Sequence, residues 1–328
     1  MSGTWQEFGW RSEQVPQEPL DEATRRAKGL PRTLTWVPGD GVRQRPVFEP
    51  ALKQYQNAYR AGDPVFADPV LGEAWHTARR QALHLVLAAI ADSAWVDALV
   101  LRGSMLLSVW FGEAAREPGD LDFVVVPAAW RIDEERTDRM IRGIAEAAEA
   151  RDGAVRFSAR DAVVEDIWTY DRVPGRRMVL PWSAPGLPGG HVQLDFVFNE
   201  PLPEAPEPVT LPGGPVLLAA TPALSLAWKL MWLLTDLHPQ GKDLYDAVLL
   251  AEGHPLSHEL LQEVVRASGE WPNSFPERPI PLRDVEEASV CVEWRHFATE
   301  YPRFAGRKRE FADRLVRAVA PAFPPDSG

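Results

Sequence analysis

The sequence predicts an α+β protein: a mixed sheet with flanking helices, a C-terminal helical domain and an irregular N-terminal arm. Two observations carry this prediction. Up to about residue 200, short apolar runs bounded by Gly, Pro or Asp occur between segments of helical spacing, which is typical of strands joined by helices. After a Pro-rich connector at 201–215, the remaining segments have helical spacing. We expect three parts: the arm at 1–70, a core at 71–205 and the helical domain at 206–328.

Composition narrows the class of protein. The chain has 328 residues, 45% of them apolar, and no apolar run long enough to span a membrane. Its start lacks the basic and apolar regions of a signal peptide, so we expect a cytoplasmic protein. A single cysteine, Cys291, excludes an internal disulfide, and its apolar helical surroundings predict a core position. The net charge of −12 repels nucleic acid at long range, so a polynucleotide substrate would need a local basic surface.

The arm is rich in Pro and Gly and shows weak periodicity, but it carries many aromatic residues. We interpret it as a segment packed on the main body, with a short helix near Ala51–Arg60; a flexible tail is the alternative. Two basic clusters elsewhere are candidate phosphate contacts, although such charges are often simply solvated. They are Arg172, Arg176 and Arg177 beside a predicted hairpin turn at Val173–Arg176, and Arg303, Arg307, Lys308 and Arg309 near the C-terminus.

The core elements follow in order. Apolar spacing predicts a helix over Leu71–Asp92, and Ala98–Leu101 is a short buried strand stopped by a turn. Further predicted elements are a helix at Met105–Phe111, a strand at Asp120–Val126, a helix at Ile132–Ala150, mostly strand over 154–201, and helices at Thr221–Thr235, Asp243–Glu252, Ser257–Ser268, Val285–Glu300 and Arg309–Ala320.

Three aspartates in this pattern suggest a metal site. Asp120 and Asp122 are at i and i+2 where a strand begins, so both side chains point to one face. Asp195 is polar in the otherwise apolar strand His191–Phe198, which is costly unless a cation or a donor compensates it. Mg²⁺ prefers such hard oxygen ligands, and two ions stabilise both the attacking and the leaving oxygen of a phosphoryl transfer. We therefore predict a two-metal Mg²⁺ site, with Mn²⁺ as an alternative ion.

The turn Gly103-Ser104 leads from a predicted strand into a helix. Glycine permits close approach of a phosphate, and the helix N-terminus offers unpaired N–H groups and the positive end of its dipole. Ser104 adds a hydroxyl. Arg102, just before the turn, and Arg116 are expected either to contact phosphate or to pair with carboxylates.

Together, Val100–Ser104 and Gly119–Phe123 resemble the DNA polymerase β-like nucleotidyltransferase superfamily, and within it the AbiEii/AbiGii toxins of type IV toxin–antitoxin and abortive-infection systems. In that group a helix bearing a lysine and a later acidic element follow. The corresponding segments are Ala227-Trp228-Lys229-Leu230 and Lys242-Asp243-Leu244-Tyr245-Asp246. The chain departs from the family pattern at Trp228, where an acidic residue is common, and at Lys242, where arginine is more usual.

The residues of these two segments also have an interpretation of their own. Lys229 lies in an apolar helix, where a buried lysine needs an anionic partner such as a triphosphate; the alternative is that it extends to solvent. Asp243 and Asp246, at i and i+3, share a helical face and are expected to orient Lys229 or a substrate hydroxyl. A capping role for Asp243 and a surface position for Asp246 are the alternatives.

The resemblance implies a nucleotidyltransferase fold and a Mg²⁺-dependent enzyme that moves a nucleoside monophosphate from an NTP to an acceptor. RNA, at the 3′ end of tRNA, is the acceptor it implies, and a cognate antitoxin is the expected protein partner. The expected catalytic residues are Asp120, Asp122, Asp195, Lys229, Asp243 and Asp246, and the expected nucleotide contacts are Arg102, Gly103, Ser104 and Lys229. The alternatives are an antibiotic-type small-molecule nucleotidyltransferase and a non-catalytic nucleotide-binding module.

Overall fold

The computed structural model describes residues 21–169, 173–269 and 278–324. In this part of the chain, two compact units are present. The first unit comprises residues 21–101, 118–200 and 208–218, and the second comprises 102–117, 201–207 and 219–324. The units interleave along the sequence, because residues 102–117 belong with the C-terminal helices although they lie between two strands of the first unit.

The described part of the arm forms short elements in the first unit. These are α1 (Glu22–Ala27), β1 (Val42–Arg43), β2 (Pro46–Phe48), β3 (Tyr59–Ala61) and β4 (Val65–Phe66). β1 pairs with β4 and β2 pairs with β3, both antiparallel. The backbone N–H groups of Arg32 and Thr33 donate to the buried carboxylate of Glu165 in the main sheet. This part of the arm is therefore packed on the body of the first unit, as predicted; residues 1–20 lie outside the described residues.

The predicted helix near Ala51–Arg60 is wrong. Only a three-residue 3₁₀ turn, Pro50–Leu52, forms there, and Tyr59 enters β3. Tyr59 packs with Leu30 and Leu34 in a buried cluster. Pairing of β3 with β2 together with this aromatic packing supplies more contacts than a short isolated helix, which is marginal in water.

The main sheet has eight strands in the described residues, in the order β11-β12-β5-β6-β10-β9-β7, with β8 also paired to β9. The strands are β5 (Leu99–Arg102), β6 (Asp120–Val125), β7 (Arg156–Phe157), β8 (Val163–Trp168), β9 (Pro174–Ser183), β10 (Gly190–Val197), β11 (Glu207–Thr210) and β12 (Val216–Ala219). β10 is parallel to β6 and antiparallel to β9, so the sheet is mixed, as the sequence predicted.

Two local predictions in this region fail. The predicted hairpin turn at Val173–Arg176 is wrong because Pro174 already begins β9. Before that strand, the backbone N–H of Thr169 donates to the carbonyl oxygen of Val173 at 3.1 Å. Arg172 lies outside the described residues. The connector predicted at 201–215 contains β11, and β12 follows it directly. Two short strands at the edge of a sheet are stabilised by pairing, which local composition does not reveal.

The core of the first unit lies along β6 and β10. Phe123 and Phe196 stack across these strands with ring centroids 5.8 Å apart, and both are fully buried. Among the described residues of this unit, the α-helices besides α1 are α2 (Pro69–Ala91) and α4 (Glu135–Glu149), and both were predicted with small end shifts. α2 begins at Pro69 because Asp68 caps it, accepting from the N–H of Val70 at 2.9 Å.

The second unit is helical in the described residues. Its helices are α3 (Ser104–Phe111), α5 (Pro222–Thr235), α6 (Gly241–Gly253), α7 (His258–Ser268), α8 (Leu282–Cys291), α9 (Arg295–Glu300) and α10 (Lys308–Val319). Thr221 and Ser257 cap α5 and α7: Thr221 Oγ1 accepts from the N–H of Leu224 at 3.0 Å, and Ser257 Oγ accepts from the N–H of Leu260 at 3.3 Å. An aromatic cluster of Tyr245, Phe304 and Phe311 packs α6 against α10.

The helix predicted over Val285–Glu300 is instead two helices, α8 and α9. The backbone of Glu293 pairs with the segment before α6, donating to Pro239 O and accepting from Gly241 N, both at 2.8 Å. These bonds use groups that a continuous helix would need. Cys291, at the end of α8, is exposed, so its predicted core position is wrong. No helix among the described residues is long and apolar enough to cross a membrane.

Candidate active site

The carboxylate face is the face of the main sheet that carries Asp120, Asp122 and Asp195. Leu121 and Phe123 alternate with the first two and are buried on the opposite side. In the parallel register of β6 and β10, Asp195 lies beside Asp122 and Gln193 beside Asp120. Neighbouring strands are about 4.8 Å apart, and residues paired in register point the same way. The three predicted metal ligands therefore share one face of two adjacent strands.

Arg177 on β9 continues this row of charges. It is paired in register with Asp195 across the antiparallel β9–β10 ladder. Its Nε donates to Asp195 Oδ1 at 2.8 Å and its Nη2 donates to Oδ2 at 2.6 Å, a bidentate contact between two buried side chains. Such a planar fork is the strong form of a charge-assisted hydrogen bond. The donor that a polar residue in an apolar strand requires is thus Arg177.

Two further groups complete the surroundings of Arg177. Its Nη1 lies 3.3 Å from Glu49 Oε2, in the arm. With its amide turned so that the oxygen faces the guanidinium, Gln193 accepts from Arg177 Nη2 at 3.1 Å. Burial raises the pKa of Asp195, and Glu49 and Asp120 raise it further against the opposing effect of Arg177. The pKa of Asp195 is therefore raised mainly because the carboxylate is buried, and Arg177 offsets only part of this effect.

The three carboxylates on this face are of the ligand type that suits a divalent cation. The donors are carboxylate oxygens only, the set that Mg²⁺ prefers, and a cation would relieve the repulsion between Asp195 and Asp120. Among the described residues, no three His, Cys, Asp or Glu side chains are grouped so that they already form a metal site. The bidentate contact with Arg177 engages both oxygens of Asp195.

The predicted phosphate turn lies in the second unit. Gly103 has φ 81°, a left-handed conformation that favours glycine, and Ser104 is the first residue of α3. Both Ser104 and Arg102 are buried. The guanidinium of Arg102 lies over the rings of Trp228 and Trp232, at 5.1 and 5.7 Å from their centroids. Trp228, where the family pattern commonly has an acidic residue, therefore contacts Arg102 as a cation–π partner.

Lys229 and the two aspartates of α6 form a buried charge cluster. Lys229 Nζ donates to Asp243 Oδ1 at 2.8 Å and lies 3.0 Å from Asp246 Oδ2. Arg116 Nε contacts both oxygens of Asp246 at 3.0 and 3.1 Å. Lys229 is 6% exposed and Asp246 is fully buried, so neither a solvent-directed lysine nor a surface Asp246 describes the structure.

The charges of this cluster stabilise one another. Burial alone would lower the pKa of Lys229, but Asp243 and Asp246 outweigh it and raise the pKa above its usual value. Burial alone would raise the pKa of Asp246, but Arg116 and Lys229 lower it. Both shifts favour the charged forms of Lys229 and Asp246. Asp243 and Asp246 both contact Lys229, and their role in orienting it for catalysis stays a prediction. A contact of Lys229 with substrate stays a prediction.

The basic clusters are placed differently from one another. Arg177 belongs to the carboxylate face, whereas Arg176 pairs with Asp166 at 2.6 Å and with Asp138 at 3.4 Å. Near the C-terminus, Arg307 pairs with Glu310 at 2.6 Å and Arg309 with Asp313 at 2.9 Å.

The sequence did not predict two contacts of the carboxylate face: the pairing of Arg177 with Asp195 and the pairing of Glu49 with Arg177. The alternation of β9 was the available signal for Arg177; no sequence signal indicated Glu49.

A comparison with known protein families gives the family of this chain. Residues 85–320 match the family described as nucleotidyl transferase AbiEii toxin of type IV toxin–antitoxin systems. The match spans more than half of the chain, so the protein is a nucleotidyltransferase. It belongs to the AbiEii family of type IV toxin–antitoxin systems.

Among solved structures, the chain is similar to MenT4, a nucleotidyltransferase toxin from Mycobacterium tuberculosis. The two are 18% identical, with a TM-score of 0.46, and the match covers 78% of this chain and 96% of that one. No curated protein sequence matches this chain significantly.

Proposed function

We propose that this nucleotidyltransferase moves a nucleoside monophosphate from an NTP to RNA in a Mg²⁺-dependent reaction, and that Asp120, Asp122 and Asp195 hold the metal. The observation that carries the proposal is the parallel register of β6 and β10, which aligns Asp195 with Asp122 on the face that also bears Asp120. Three carboxylates on two adjacent strands form an oxygen-only ligand set suited to Mg²⁺.

In the proposed reaction, an acceptor hydroxyl loses its proton to solvent as its oxygen forms a bond to the α-phosphorus. The bond from that phosphorus to the β-phosphate oxygen breaks, and pyrophosphate leaves. Bound Mg²⁺ supplies charge neutralisation of the phosphates and of the leaving oxygen. In this proposal the phosphates accept from backbone N–H groups at the N-terminus of α3, where Gly103 is the capping residue and Ser104 the first helical residue. Arg102, whose guanidinium lies over two indole rings, is the residue proposed to add positive charge beside the phosphates.

The acceptor and the biological role are part of this proposal. We propose the 3′ end of tRNA as the acceptor, toxicity through blocked translation as the result, and a cognate antitoxin as the protein that neutralises it. Membership of a toxin family supports the role of toxin. The net charge of −12 requires that RNA be bound through a local basic surface.

The test is transfer of label from each α-labelled NTP to total tRNA in the presence of Mg²⁺. Wild type is expected to label tRNA, and the double variant Asp120→Asn/Asp122→Asn to lose at least about a hundredfold in rate. Asp152→Asn is the matched control, since Asp152 is an exposed aspartate of the same unit that pairs with Arg156. If label stays in free nucleotide with every NTP, the RNA acceptor is refuted.

The acidic charge also favours one alternative, a cationic small-molecule acceptor of the antibiotic type. Expression in cells separates the two. A toxin slows growth, and the double variant relieves the arrest, whereas a drug-modifying enzyme protects cells against the drug without slowing them.

A further inference from the structure

β10, which carries Asp195, lies between β6 and β9, and the contacts that hold Asp195 come from β9. Arg177 donates to both carboxylate oxygens of Asp195. The remaining guanidinium nitrogen, Nη1, lies 3.3 Å from Glu49 Oε2. Arg177 is 3% exposed at its side chain and Asp195 is 10% exposed. A run of contacts therefore leads from the arm through β9 to the third carboxylate of the proposed metal site.

Arg177 does not use every acceptor site of the Asp195 carboxylate. An ionised carboxylate has about four lone-pair sites, and a bidentate guanidinium uses one on each oxygen. The planar fork also prevents the carboxylate from rotating, so the remaining lone pairs keep a fixed direction. An ammonium could not do this, since it is a point charge without a fork.

We propose that Arg177 and Glu49 are positioning residues for Asp195: Glu49 holds the guanidinium, and the guanidinium orients the carboxylate for Mg²⁺. This inference rests on the proposed metal-dependent transfer, and it adds Arg177 and Glu49 to the three proposed metal ligands. It also gives the arm a part in the reaction, because Glu49 lies between β2 and the 3₁₀ turn Pro50–Leu52.

Residues that orient metal ligands in this way change metal affinity by about 10- to 100-fold when they are altered. The probe is Mn²⁺, whose free concentration is read by electron paramagnetic resonance in the presence of a non-hydrolysable ATP analogue. We expect Arg177→Met to weaken Mn²⁺ binding within that range, Arg177→Lys to restore part of it, and Glu49→Gln to weaken it by a factor near the lower limit.

Arg176→Lys is the matched control. Arg176 is the neighbour of Arg177 on β9 and pairs with Asp138 and Asp166 instead. The Arg176→Lys variant is expected to bind Mn²⁺ with the affinity of the wild-type protein. Steady-state kinetics add a second measurement: Arg177→Lys raises the Mg²⁺ concentration for half-maximal rate, while kcat at saturating Mg²⁺ stays close to that of wild type. A purely structural role would not produce this split.

Thermal unfolding of each variant identifies those that are folded, and Arg177→Lys and Glu49→Gln keep the proposal testable if Arg177→Met does not fold. Wild-type affinity for Mn²⁺ in Arg177→Lys and Glu49→Gln, together with lost affinity in Asp195→Asn, would overturn the positioning role while leaving the metal site intact. A wild-type protein that binds no Mn²⁺ would overturn the metal site and the positioning role together.

Discussion

Lys229 Nζ donates to Asp243 Oδ1 across 2.8 Å between α5 and α6, and both side chains are buried. Asp246 accepts from the same ammonium and from Arg116. A buried ion pair of this kind is costly to form, and removal of one partner leaves an uncompensated charge in the interior.

We therefore expect Lys229→Met to lower the free energy of unfolding by about 3–5 kcal/mol. Urea denaturation followed by circular dichroism measures the loss. Lys242→Met is the control: Lys242 lies on α6 beside Asp243 but is half-buried, and its substitution is expected to cost little. A loss below about 1 kcal/mol in Lys229→Met, the range of an exposed pair, would contradict the buried cluster.

His191 on β10 gives a prediction on pH dependence. Burial, with Arg79 and Arg60 nearby, lowers its pKa to about 4. In the unfolded chain the pKa is about 6.5, so between these values the unfolded state binds a proton that the folded state does not. Stability is then complete above pH 6.5 and falls as the pH is lowered towards 4, by about 3 kcal/mol in total.

The variant His191→Gln removes this contribution. Free energies of unfolding at pH 7 and pH 4.5 are compared in wild type and variant. The wild-type protein is expected to lose more stability on acidification than the variant does. Equal losses in the two proteins would show that His191 titrates normally in the folded state.

Gly190 and Gly189 provide a matched pair of substitutions at the start of β10. A Cβ at Gly190 would overlap the ring of Trp182 and lie 3.0 Å from Trp75 Cζ2, whereas at Gly189 the nearest atom, Trp182 O, would be 3.4 Å away. We expect Gly190→Ala to cost about 1–3 kcal/mol through overpacking, and Gly189→Ala much less. Thermal unfolding midpoints measure both, and equal midpoints would contradict the close approach.

Glu165 anchors the arm to the sheet. Its buried carboxylate accepts from Thr33 N at 2.8 Å and from Arg32 N at 3.2 Å. Glu165→Ala leaves these donors without their acceptor, at a cost of about 1–3 kcal/mol, and is expected to increase protease cleavage within residues 28–45. Asp166→Asn, at the next and exposed position of β8, is the control. Unchanged cleavage in Glu165→Ala would show that the arm is held by other contacts.

Much of the fold was predictable because it depends on local patterns. The structure confirms the helices α2 and α5, which follow from the 3.6-residue spacing of apolar residues in short segments. The cap at Thr221 is likewise a local feature. Predictions failed where distant segments pair. β11 and β12 join the sheet edge from a Pro-rich stretch, and Glu293 interrupts a helix by pairing with residues before α6.

For the site, the sequence by itself determined that Asp120 and Asp122 share a face, because side chains alternate along any strand. It also determined that Asp195, polar in an apolar strand, needs a partner. Only the tertiary structure decided that β10 is parallel to β6 in the register that aligns Asp195 with Asp122, and that Asp195 is bonded to Arg177, which in turn pairs with Glu49. Register and pairing depend on packing between segments far apart in the chain, which no local pattern specifies.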